Sequence, residues 1–262
     1  MISLKNRKGK HGTVDNGEEY IAISYNRSGT GSVDTDEQLT QIFARIGKGY
    51  QYNRVSAEFM PFQEMKLRWQ RSYEWVEFKV SDYLRGAPEE VIDELAKVIF
   101  GKISGKDTKF GETFIRYLTD PQVRERNRTS YLGRAVFDTD GPRGKVRNLE
   151  DSVVRLKRQG LLDPGFDCTL RWKSDGGEIS KASGCTVLMN LLWVNTRLDS
   201  EKTPDYVLDY AVYVAAAYLV IGYRPNDPLD DEWMALLARY PSKSKAEAWL
   251  RKHQMIGAGE WA

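Results

Sequence analysis

Apolar and polar positions along this chain recur with two different periods, and the switches between them predict its elements. Leu39, Ile42, Phe43 and Ile46 recur at helical spacing behind Asp34-Thr35-Asp36, which offers an N-cap, and Gly47 and Gly49 close that helix. Residues 55–62 and 73–80 are rich in β-branched and aromatic side chains with polar breaks between them, and predict paired strands. A second helix opens at Gly86-Ala87-Pro88-Glu89-Glu90, with Pro88 at the first helical position and two acids at the positive end of the helix dipole. Val91, Ile92, Leu95, Val98 and Ile99 form its buried stripe, and GKISGK at 101–106 reads as its end and turn. Shorter helical pieces are expected over 110–118 and 122–128. Within the irregular first 33 residues one alternation, YIAISY at 20–25, predicts an edge strand or hairpin arm.

The second half begins after FDTDGPRG at 137–144, the best internal linker by Gly, Pro and Asp content. Asn148 caps the next helix, with Leu149, Val153, Val154 and Leu161 expected inward and Arg155, Lys157 and Arg158 outward on a solvated face. Residues 166–172 alternate as a strand, and the Gly-rich 173–178 and apolar 187–194 suggest more strands. Residues 203–223, TPDYVLDYAVYVAAAYLVIGY, are the longest apolar helix candidate, with Thr203 as N-cap, Pro204 as first helical residue, Asp205 as first-turn acid and Gly222 as terminator. The run is too short for a bilayer and contains Asp209, so it predicts a buried core helix. A helix from Asp227-Pro228 carries Trp233, Leu236 and Leu237, and a last one from Ser242 or Ser244 carries Ala246, Trp249 and Leu250. The pattern is that of an α+β protein, with helices packed on a modest, mostly antiparallel sheet.

Composition narrows the function classes. A chain of 262 residues with 41% hydrophobic and 29% charged residues is globular rather than disordered. Lys and Arg total 39 against 37 Asp and Glu, so net charge alone predicts no polyanion partner. The charges are unevenly spread. Residues 121–160 hold ten Lys/Arg and five Asp/Glu, whereas 199–232 hold two and eight. Arg124, Arg126, Arg128 and Arg134, interleaved with Asn127 and Tyr131 and followed by Arg143, Lys145 and Arg147, form a stretch able to contact phosphates and stack on bases. Cys168 and Cys185 have neither a close-spaced pair nor a histidine partner, which reads as reduced, cytoplasmic thiols with structural roles. No secretory signal and no Walker loop are recognised, and Ser174 lacks a nucleophile elbow. Asp205 and Asp209 at i,i+4, with Asp227, Asp230 and Asp231, could suit a hard cation, although capping and the helix dipole explain the same acids.

Read in order, the last hundred residues resemble the SprT-like and YgjP-like zinc metallopeptidases. Arg171-Trp172-Lys173-Ser174 looks like the family's first strand and polar turn, and Val194-Asn195-Thr196-Arg197-Leu198 like its next strand. Pro204-Asp205-Tyr206-Val207-Leu208-Asp209-Tyr210 resembles the lead into H-E-x-x-H, Glu232-Trp233-Met234-Ala235-Leu236 the helix after the third ligand, and KAEAWLRK at 245–252 the closing helix. Upstream, FKVSDYLRGAPEEVIDELAKVIFGKI is similar to an N-terminal extension of some microbial members. The resemblance implies a zincin core over 145–262, an α/β extension over 54–136 packed with it as one globular unit, and a variable segment over 1–53 with a strand and a short helix.

In this register the active-site residues are replaced. Val214 stands at the first zinc histidine, Ala215 at the glutamate and Tyr218 at the second histidine, while the third-ligand region around Asp227 holds no histidine. The chain has only His11 and His253. Two imidazoles on one helical face hold zinc and the glutamate deprotonates its water; valine has no lone pair and alanine is no base. The implied protein needs no metal or cofactor and is a catalytically silent peptidase homologue that binds protein or peptide or serves as a structural module. Val207, Ala211, Val214, Tyr218 and Ile221 would then form an apolar stripe, or a groove would survive with Trp172, Tyr213 and Tyr218 as ligand-binding candidates. A nucleic-acid-binding protein using 124–158 is the rival, and a hydrolase with a non-histidine metal site the third. No membrane partner is expected.

Overall fold

The computed structural model describes residues 15–20, 31–174, 180–227 and 230–256, and the chain divides into two units, the first ending at Arg134 and the second beginning at Ala135. Both mix helices with small sheets, so the protein is α+β.

The first unit holds strands β1 (Asp15–Tyr20), β2 (Ser32–Val33), β3 (Arg54–Met60), β4 (Lys66–Arg71), β5 (Trp75–Ser81) and β6 (Ala87–Pro88), with helices α1 (Asp36–Gly47), α2 (Glu89–Ile103), α3 (Glu112–Thr119) and α4 (Pro121–Arg134). The two expected strands do pair, as β3 and β5, in parallel, with Val55 opposite Val76 and Phe59 opposite Val80. What read as a polar break between them contains β4, which lies antiparallel to β5 and to β1, giving the order β1-β4-β5-β3. Lys66, Arg68 and Gln70 alternate there with Leu67 and Trp69, and only the last two are buried. The polar half of a period-2 strand had masked it. Tyr73, expected in a strand, lies outside it and is 96% exposed.

On the sheet, Phe43 of α1 meets Phe78 at 4.7 Å between ring centroids, and Phe78 meets Phe100 of α2 at 5.2 Å. Gly47 ends α1 where a Cβ would come within 2.8 Å of Val55 and 2.9 Å of Phe100, so its small size permits the close approach of α1 to both. Thr35 caps α1 in a reciprocal box with Gln38. α2 starts one residue later than expected, because the pairing of β6 with β2 holds Pro88 in an extended conformation at the N-cap. α4 runs six residues past its expected end. Its buried Val123, Asn127 and Tyr131 lie at i, i+4 and i+8, and Asn127 donates to the Tyr83 carbonyl at 3.0 Å. Of the predicted strand at 20–25, Tyr20 closes β1 and the rest lies outside the described residues.

The second unit contains α5 (Leu149–Arg158), β7 (Thr169–Lys173), β8 (Ser180–Lys181), β9 (Ser183–Thr186), β10 (Leu191–Asn195), α6 (Asp205–Ile221), α7 (Asp230–Ala238), α8 (Lys243–Lys252) and β11 (Met255–Ile256). β10 is central, parallel to β7 and antiparallel to β9, and β8 pairs in parallel with β11. Antiparallel pairings are in the majority, but the four- and three-stranded sheets are each mixed; in the first unit β5 returns between β3 and β4 and so acquires a parallel neighbour. The Gly-rich stretch at 173–178 falls largely outside the described residues.

One face of this sheet, with Trp172, Leu192 and Val194, packs into the core that surrounds α6, and Ser183 Oγ donates to the Ala211 carbonyl of α6 at 2.6 Å. Apart from Asp205 and Asp209, α6 is almost entirely apolar, as a helix largely enclosed by other elements must be. It starts at Asp205, not Pro204: Pro204 is the N-cap, with φ −64° and ψ 145°, and Thr203 precedes it without capping. Gly222, with φ +80°, ends the helix as expected. Among the described residues no helix is long and apolar enough to cross a membrane.

Candidate functional site

The α6 positions aligned with the peptidase motif lie inside the core. Val214 is 5% exposed and Ala215 1%. α7 lays Trp233 over this face, its indole N–H donating to the Val214 carbonyl at 3.4 Å and its ring stacking on the half-buried Tyr218 at 4.8 Å. Asp227 is exposed beyond the C-terminus of α6, and Pro228 and Leu229 lie outside the described residues. Of the two histidines, His253 lies just past α8, and His11 is outside the described residues.

The aromatic candidates are structural in their contacts. Trp172 is fully buried and its indole N–H donates to the Pro142 carbonyl at 2.9 Å. Tyr213, 1% exposed, donates to the Leu236 carbonyl at 2.9 Å. It also stacks near Tyr240, whose hydroxyl donates to the Tyr206 carbonyl at 2.8 Å, while Tyr210 bonds Glu247 at 2.6 Å. These hydroxyls tie α6 to α7 and α8, and burial pushes the phenols of Tyr210, Tyr213 and Tyr240 up.

Beside this filled face a groove of about 420 Å³ does open on the second unit, between the loop after α5, α6 and α7. Leu161, Leu162, Pro164, Tyr213, Ala217 and Leu236 give it apolar walls, and Lys157, Arg239 and Asp163 bring charge of both signs. Tyr213 lines it; Tyr218 does not. Lys157 Nζ donates to the Pro164 carbonyl at 2.9 Å and Arg239 to the Gly160 carbonyl at 3.1 Å, which hold the loop after α5 in place.

Of the acids proposed for a hard cation, Asp205 and Asp209 face arginines instead. Asp209, 3% exposed, accepts from Arg155 Nε at 2.9 Å and Nη2 at 2.7 Å, and Arg155 Nη2 also reaches Ser152 Oγ at 3.0 Å. The hydrogen bonds to Asp209 hold the guanidinium pKa above its ordinary value. Asp205 pairs with Arg147 at 2.9 Å. Among the described residues no group of three or more His, Cys, Asp and Glu is placed to hold a metal ion. Arg155 was expected outward and Val154 inward. The order is reversed: Val154 is 43% exposed, and Arg155 turns toward α6 because a carboxylate buried there needs a partner. An aspartate inside the apolar run was the available signal for this pair.

The basic section is divided between the units. Arg124, Arg126, Arg128 and Arg134 lie on α4 of the first; Arg143, Lys145 and Arg147 precede α5 in the second. Arg134 makes a two-pronged pair with Asp82, both bonds at 2.6 Å, and lies over the Tyr83 ring. Arg126 reaches the Tyr117 hydroxyl at 3.4 Å, Arg128 approaches Glu125 at 3.5 Å, and Arg124 is half-buried. Arg147 bonds the Ser200 and Thr203 carbonyls and Asp205. Arg143 and Lys145 are exposed, and the Lys145, Val146 and Arg147 backbone amides donate to Asp199. Asn127 and Tyr131, read as interleaved stacking partners, are both buried.

Ser174 bonds Asp138 through its amide and its hydroxyl, which anchors the end of β7. Cys168 and Cys185 are free and half-buried, and burial pushes both thiols up to about 12. Such thiols are poor nucleophiles at neutral pH. Comparison of the chain with family models, with curated proteins and with solved structures gives no match.

Proposed function

We propose that this chain is a catalytically silent relative of the SprT-like peptidases, in which the core survives as a protein- or peptide-binding module. The observation that carries this reading is the fate of the motif face: Val214 and Ala215 are buried, and Trp233 covers the position where a zinc-bound water would have to reach solvent. The groove beside that face supports a binding role. Its apolar walls suit side chains of an extended segment, and its mixed rim of Lys157, Arg239 and Asp163 supplies polar contacts of both signs. Metal analysis of the purified protein together with a casein cleavage assay tests the reading. No stoichiometric zinc and no chelator-sensitive cleavage are expected; finding both would overturn it.

A further inference from the structure

A second, smaller pocket of about 220 Å³ lies in the second unit, where the C-terminus of α8 meets β11, and is lined by Arg197, Trp249, Lys252, His253, Gln254 and Met255. Cations at the end of a helix ordinarily compensate the negative pole of its dipole. Here three of the carbonyls at that pole, those of Trp249, Leu250 and Arg251, already have backbone donors. Trp249 O accepts from the His253 amide, as does Leu250 O, and Arg251 O accepts from the Gln254 amide. His253 O accepts from Arg197 Nη2 at 3.1 Å. Two cationic side chains, Arg197 and Lys252, line the pocket.

Arg197 is exposed yet held in place, because Nη1 donates to Ser180 Oγ at 3.0 Å while Nη2 is on His253 O. Among the described residues the remaining N–H groups of its guanidinium have no partner. The His253 ring is fixed by stacking on Trp249 at 3.7 Å and by Nδ1–H donating to the Trp249 carbonyl at 2.8 Å, which makes Nε2 of the neutral ring an acceptor and leaves Arg197 and Lys252 as the groups able to hold an anion. Lys252 is exposed. Among the described residues no carboxylate lines the pocket and none forms an ion pair with Arg197, Lys252 or His253. A pre-positioned guanidinium beside an ammonium, with no acid among the described residues to neutralise them, matches an oxyanion of several acceptor oxygens.

We infer that this pocket is a binding site for a phosphoryl group, free or carried on a nucleotide. The inference does not depend on the peptidase ancestry, since none of the residues involved belongs to the α6 motif face. Calorimetric titration of the full chain with inorganic phosphate, AMP and adenosine tests it, alongside Lys252→Glu, which reverses a charge without removing a hydrogen bond that holds the fold. Saturable binding of phosphate and AMP, absent for adenosine and weakened about tenfold or more by Lys252→Glu at an unchanged unfolding midpoint, is the expected result. Equal affinity for the two anions assigns recognition to the phosphoryl group alone, and tighter AMP binding adds the nucleoside. Failure of both anions to bind at millimolar concentration, adenosine binding as well as AMP, or a Lys252→Glu variant that binds like the parent would overturn it.

Discussion

At the scale of single residues, the Arg155–Asp209 pair is the most consequential charge arrangement in the second unit. A carboxylate 3% exposed on an apolar helix is tolerable only because a guanidinium fork satisfies both oxygens. Arg155→Ala leaves that charge buried and unpaired and should cost about 3–5 kcal/mol in urea unfolding, whereas Arg155→Met combined with Asp209→Leu should recover much of the loss. A double variant no more stable than the single one would show that the pair does more than neutralise itself. The cysteines make a second residue-level prediction. Both thiols rise to about 12 in the folded chain, against about 8.5 for a free one. The unfolded chain therefore releases these protons first as pH rises, so each thiol makes stability fall between roughly pH 8.5 and 12, with its contribution intact below that window. Thiolate absorbance followed against pH should show no ionisation of the native protein near pH 8.5 to 9; a step there would contradict the burial of both sulfurs.

At the scale of elements, α6 is defined by what covers it. The sequence period already predicted a buried helix of about this length, and α6 differs from that expectation by one residue at its start. That Trp233 of α7 would lie over Val214 and Tyr218 was not legible, since the two helices are joined by a loop whose path no periodicity encodes. Trp233→Ala removes the cover and should destabilise the protein by about 3–5 kcal/mol. Rebuilding the motif with Val214→His, Ala215→Glu and Tyr218→His places polar groups under that indole. The expected outcome is a lower urea midpoint with no stoichiometric zinc. Zinc uptake at parent stability would mean that the face opens readily. β4 carries the complementary lesson. Its alternation of Leu67 and Trp69 with Lys66, Arg68 and Gln70 was present in the sequence, but four long polar side chains in six positions, Arg71 included, resemble a loop until a neighbouring strand supplies the partner for its buried face.

At the scale of the whole molecule, net charge is +2 and the basic section belongs to two different units. Arg134 and Arg147 are committed to ion pairs that hold their own units together, and the aromatic Tyr131 is buried. Labelled single- and double-stranded DNA titrated at several salt concentrations should therefore show no affinity that depends on Arg124, Arg126 and Arg128: replacing all three by alanine should leave the salt slope unchanged, where loss of three phosphate contacts would lower it by about 2.7. Most of the architecture was legible from the chain alone. Helix existence, the burial of α6, the Thr35 and Asn148 caps and the Gly222 stop follow from local period and local hydrogen-bonding chemistry, which act over a few residues. Strand direction, the turn of Arg155 toward Asp209, the cover over Val214 and the cation-lined end of α8 were decided by tertiary structure. Each depends on which distant group arrives opposite a side chain, and buried polar and apolar groups alike accept only the arrangement that satisfies them.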